Sequence, residues 1–88
     1  DAALVVEVSA SSLYRDRTDK ARIYARAAIP VYWVVNVIDK VIEVYTQPTG
    51  PSENPEYGKR EDYPAGTSVP VVLDGTSIGT ISVADVMS

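Results

Sequence analysis

The chain has 88 residues, 45% hydrophobic and 23% charged, which describes one small domain or part of a larger one and excludes a disordered chain. It has no cysteine and no histidine. That excludes a disulfide frame, thiolate or imidazole metal ligation, and catalysis by His or Cys, and the net charge of −4 argues against a protein that coats DNA.

Leu4-Val5-Val6-Glu7-Val8 is an apolar run rich in β-branched residues and predicts a strand over residues 3–9. Its near-continuous apolar character predicts burial on both faces. Alternation puts Leu4, Val6 and Val8 on one face and Ala3, Val5, Glu7 and Ser9 on the other. Ser11 and Ser12 are N-cap candidates for a helix over residues 13–28, the only long one expected. Its stripe is Tyr14, Ala21, Tyr24, Ala25 and Ala28. Pro30 ends it, because the residue before a proline is pushed out of helical space.

Residues 31–37 form a second apolar strand, 38–40 a turn and 41–46 a third strand, closing a hairpin. Strand, helix and strand with a crossover of this length fit a βαβ unit with parallel strands. Residues 47–58, with three prolines and two glycines, read as a surface loop. Short strands follow at 59–63 and 69–73 around Pro64-Ala65-Gly66. Asp74-Gly75 marks a tight turn, 78–82 a last strand, and Ser82 or Val83 to Met87 a final helical turn. Trp33 and the six tyrosines could stack on bases, but apolar neighbours assign Trp33 and Tyr32 to core packing.

Charge is uneven along this frame. Residues 13–28 hold five basic side chains against two acidic ones, a local sum of +3 that leaves −7 elsewhere. Such a cluster reads as a solvated helix face. No apolar run approaches the roughly 18–20 residues of a membrane span. The opening residues lack the basic stretch of a signal peptide, so a cytoplasmic setting without membrane contact is expected.

Glu7 is the most informative single residue. A carboxylate inside that apolar run is costly to bury unless it is paired, metal-bound or at an exposed strand end. Lys20 lies eight residues past Ser12, which is ~12 Å at the helical rise, or about three to four residues of strand. The returning helix therefore brings Lys20 level with Glu7. The competing reading is a surface lysine paired with Asp16, four residues before it in the favourable order. Any metal must be held by oxygens, as suits Mg²⁺, Mn²⁺ or Ca²⁺.

The strings LVVEVS-x-SSL, DR-x-x-K, YARA-x-IP, YW-V and IEVY, in this order and spacing, resemble the Uma-two family over essentially the whole chain. That family is similar to the PD-(D/E)xK nucleases. The resemblance implies an α/β fold, a restriction-endonuclease-like mixed sheet with flanking helices, and a metal-dependent DNA endonuclease using Mg²⁺ or Mn²⁺. It makes Glu7 an acidic metal ligand and Val8 a second one through its carbonyl oxygen. Ser9 stands where the superfamily lysine would be, and Lys20 is the matching position on the helix. Asp16 matches an acidic residue one turn earlier that either orients Lys20 or caps the helix. Relatives carry glycine where this chain has Ala28, which predicts a strained or differently closed turn. Asn36, where relatives carry Asp, reads as a strand-end residue.

The superfamily's first acidic ligand belongs to an upstream strand, and Asp1 is too close to Glu7 in the chain to replace it. Together with a first residue that is not Met, this reads as the C-terminal half of the domain, with its N-terminal part missing. The strand at 3–9 would then present an unpaired edge, inviting a homo-oligomer. Two other readings stay open: a non-catalytic DNA- or protein-binding module on the same fold, and an inactive truncated fragment.

Overall fold

The computed structural model describes residues 3–10 and 14–87. In chain order the elements are β1 (Leu4–Ser9), α1 (Tyr14–Arg26), β2 (Val31–Asn36), β3 (Val41–Pro48), β4 (Tyr57–Pro64), β5 (Ser68–Leu73), β6 (Thr76–Ser82) and α2 (Val83–Met87). The first four strands form a mixed sheet in the order β1-β2-β3-β4, and β5 and β6 form a separate two-stranded sheet. β1 runs parallel to β2, as the crossover through α1 requires, and the remaining pairs are antiparallel.

Strand alternation sorts the four-stranded sheet into two faces. Val31, Trp33 and Val35 of β2 share one face with Ile42 and Val44 of β3. There they meet Val69 and Val71 of β5 and Val83 and Met87 of α2 in one apolar cluster. The other face of β2, Tyr32, Val34 and Asn36, is as deeply buried. It lies under α1, whose Ala25 is fully buried. A strand covered on both sides explains why β2 reads as an unbroken apolar run. Each fully buried valine or isoleucine here contributes about 1.5–3 kcal/mol.

The expectation for β1 was half right. Leu4 packs against the apolar cluster, but Val6 is 50% and Val8 70% exposed. β1 is the last strand of the described sheet, and the β5–β6 hairpin lies over β2 and β3 instead. The sequence shows that the run is apolar but not which layers reach it.

Element bounds also differ. α1 ends at Arg26 rather than at residue 28, because Ala28 adopts φ 57°. The N–H of Ala28 bonds the carbonyl of Ala25, and that of Ile29 bonds the carbonyl of Tyr24. This is the paired pattern of a Schellman stop, closed by alanine in a conformation that glycine adopts without strain. The proposed caps Ser11 and Ser12 lie outside the described residues. The segment expected as a loop over 47–58 is partly strand: β3 runs on to Pro48 and β4 starts at Tyr57. Inside it, Gly50 and Pro55 are buried. The Gly50 N–H reaches the carbonyl of Ala25 and pins the loop to the end of α1.

Candidate active site

Glu7 stands on β1 opposite Val34, on the face that α1 covers. α1 carries Lys20 and Tyr24 one turn apart, so both side chains emerge on the same side of the helix. The Lys20 Nζ lies 2.8 Å from Glu7 Oε2. The Tyr24 hydroxyl donates to Glu7 Oε1 at 2.6 Å. One carboxylate is therefore held at both oxygens by two donors from a single helix. The Glu7 side chain is 26% exposed and that of Lys20 is 51% exposed, so the pair borders solvent.

The local electrostatics follow from these contacts. The hydrogen bond from Lys20, and then that from Tyr24, hold the Glu7 carboxyl below the usual glutamate range. The same bond to the Glu7 carboxylate raises the Tyr24 phenol above its ordinary value. At neutral pH the cluster is a carboxylate facing an ammonium and an intact phenol.

Of the residues singled out from sequence, Glu7 and Lys20 are brought together as the crossover geometry predicts. Val8 follows Glu7 on β1 with its side chain on the opposite, exposed face. The side chain of Asp16 lies outside the described residues, as does Asp1.

Two residues carry more than their sequence pattern shows. Helical periodicity puts Tyr24 in the apolar stripe, although its spacing of four from Lys20 signals a shared helix face. Glu43 belongs to the IEVY string, which by itself assigns it no role. It also sits opposite Val34 and is 1% exposed. The Tyr45 hydroxyl donates to its Oε1 at 2.7 Å, Asn36 Nδ2 approaches its Oε2 at 3.4 Å, and an Arg60 guanidinium nitrogen lies 3.7 Å from that oxygen. Arg60 in turn chelates Asp62 and sits over the Tyr45 ring. Asn36 is more than a strand-end residue. Its Oδ1 accepts the N–H groups of Ile38 and Asp39 and organises the β2–β3 turn.

Aromatic rings back the Glu7 cluster. Tyr32 is 1% exposed and packs against Tyr24, Tyr45 and Tyr57 with ring centroids 5.0, 5.4 and 6.1 Å away. Burial pushes the Tyr32 phenol far above its ordinary value, and that of Tyr57 up to about 12. These rings stay neutral at physiological pH and act as a wall. The Tyr57 hydroxyl donates to the Ile29 carbonyl at 2.7 Å and ties that wall to the chain leaving α1.

Among the described residues no three His, Cys, Asp or Glu side chains gather closely enough to hold a metal ion. No helix among them is long and apolar enough to cross a membrane.

The model of the Uma2 family, described as "Putative restriction endonuclease", matches residues 1–81. The chain belongs to this family. The Uma2 match runs from before β1 into β6, so Glu7, Lys20, Tyr24 and Glu43 all lie within it. The mixed sheet with α1 on one face is consistent with the restriction-endonuclease-like fold. No curated protein and no solved structure matches the Uma2 chain.

Proposed function

We propose that this Uma2 chain serves the metal-dependent hydrolysis of phosphodiester bonds in DNA, with Mg²⁺ or Mn²⁺ as the cation. The observation that carries this reading is the Lys20 amine at 2.8 Å from the Glu7 carboxylate, joined across α1 and β1. A carboxylate beside a cationic donor is the pair that such hydrolysis requires. The family's description supplies the substrate class.

The residues fit the cation in kind. Glu7 and the Val8 carbonyl offer hard oxygens, the donors that Mg²⁺ and Mn²⁺ prefer. In number they make only part of a coordination shell. The remaining oxygens would come from water, from the phosphate, or from residues outside the described set. The bound cation would polarise the phosphate and make water acidic enough to attack. Lys20 would orient the nucleophile or offset charge developing on the phosphate. Asp16, one turn before Lys20, would orient that amine or cap α1. The local positive charge of α1, where Arg22 and Arg26 are exposed, would add a salt-sensitive attraction for the DNA backbone. A cytoplasmic location suits such an activity.

Plasmid cleavage with Mg²⁺ or Mn²⁺, with and without chelator, tests the proposal. Cutting should vanish on chelation. Glu7→Gln should weaken metal binding, and Lys20→Ala should lower turnover with less effect on DNA affinity. Undiminished cutting by both variants would remove the site assignment. DNA binding with no metal-dependent cutting would turn the reading to a non-catalytic module.

A further inference from the structure

The carboxylate torsion of a glutamate is broad and roughly two-fold, so the chain itself does not set which way the two oxygens point. In this site each oxygen has one donor, and the two donors differ in how firmly they are held. Lys20 reaches Oε2 on a flexible four-carbon stem whose side chain is half exposed. Tyr24 reaches Oε1 through a ring packed on Tyr32. Tyr32 is itself wedged against Tyr45 and Tyr57. The backbone of Tyr24 is secured as well, since its carbonyl accepts the Ile29 N–H of the helix stop. The neighbouring Ala25 carbonyl is bonded to Gly50 from the following loop.

We propose that Tyr24 is the positioning residue of the site: its hydroxyl fixes Oε1 of Glu7 and thereby presents Oε2 to the position that Lys20 now occupies. Oε2 is then the oxygen offered to an incoming cation, and Lys20 is the donor that exchanges. This rests on the reading of Glu7 as a cation ligand. A hydrogen-bond partner behind a ligating carboxylate typically accounts for about 10–100-fold in metal affinity or activity. The aromatic wall makes Tyr24 such a partner, one that does not need to rearrange.

Tyr24→Phe keeps the ring on Tyr32 and removes only the hydroxyl. Three measurements on the full chain test it: thermal melting, Mn²⁺ affinity without DNA, and the Glu7 Cδ resonance by NMR. The expected result is near-native melting, Mn²⁺ binding weakened by about 10–100-fold, and a Glu7 Cδ signal that broadens or shifts. Lys20→Ala should bind Mn²⁺ no more weakly than the parent, because it removes a competitor for Oε2. In cleavage, Tyr24→Phe should lower kcat with KM for DNA little changed. A Tyr24→Phe chain with the parent's Glu7 Cδ signal overturns the proposal, and so does one with the parent's Mn²⁺ affinity. If the parent chain binds no Mn²⁺ at all, the cation reading of Glu7 fails, while the Cδ signal still decides whether Tyr24 orients the carboxylate.

Discussion

Glu7 and Glu43 share one face of the sheet, on either side of Val34, which pairs with both. Two strand spacings separate their backbones by roughly 10 Å, yet their surroundings are opposite in kind. Glu7 borders solvent on the outer strand and meets two donors from a helix. Glu43 is sealed on β3 among Tyr45, Asn36 and Arg60. One carboxylate can meet a ligand, while the other is part of the frame.

Substitution should separate the two. Glu43→Ala empties a buried site and deprives the buried Asn36 amide of one acceptor, while Arg60 stays half exposed and paired with Asp62, and we expect a loss of about 2–5 kcal/mol. Glu43→Gln, which keeps the shape, should cost about 1–3 kcal/mol. Glu7→Gln should change stability by no more than about 1 kcal/mol, since its ion pair is half exposed. Urea denaturation of the three variants checks the order. A Glu43→Ala chain as stable as the parent would show that the buried cluster contributes little.

The Glu7 cluster should have a plateau in pH. Folding lowers the carboxyl below its ordinary value of 4.5, so the folded state binds fewer protons. Its contribution is present above 4.5 and lost as pH falls through the lowered value. Folding raises the Tyr24 phenol above 10.0, so that contribution is present below 10.0 and lost as pH rises through the raised value. The stability difference between the parent and Glu7→Gln, followed by urea melts across pH, should be level between these limits. It should shrink on the acid side. A difference that grew with acidification would contradict the hydrogen-bonding scheme.

Ala28→Gly should stabilise the chain. Ala28 holds φ 57° at the end of α1, a region that costs an L-residue roughly 1–2 kcal/mol. Glycine relieves that strain but adds freedom to the unfolded chain, leaving a net gain of about 0.5–1 kcal/mol. For a chain of this size that corresponds to a few degrees in Tm, readable by circular dichroism. A β-branched residue such as Val at the same place should act in the opposite direction.

Val8→Lys should reduce self-association without loss of stability. Val8 is 70% exposed on β1, the last strand of the described sheet, and a lysine on an edge strand discourages pairing with another chain. Its side chain lies on the face away from Glu7 and Lys20, so the site should be undisturbed. Sedimentation and light scattering at rising concentration should show less association than the parent, with the urea midpoint unchanged. Equal association by both chains would mean that this edge is not the contact.

Much of this arrangement was legible in the residues alone. The β-branched run at Leu4–Val8, Pro30 beyond the helix and the short turn read at 38–40 specify β1, α1, β2 and the hairpin to β3, because strand alternation, helix stops and turn lengths are local properties. The approach of Lys20 to Glu7 followed from them, since helical rise and strand rise set where a crossover returns. What lay beyond the sequence was which surfaces the layers cover. Val6 and Val8 are as apolar as Val34 and Val35, yet the first two face solvent and the last two are buried, because the β5–β6 hairpin and α1 reach β2 and leave much of β1 open. Glu43 and Glu7 each sit within apolar strands, and only the position of the sheet's other layers seals one and opens the other. For Tyr24, helical periodicity could assign a face but not a partner. Its bond to Glu7 spans 17 positions of chain, and contacts between residues that far apart are set by how elements pack, not by local pattern.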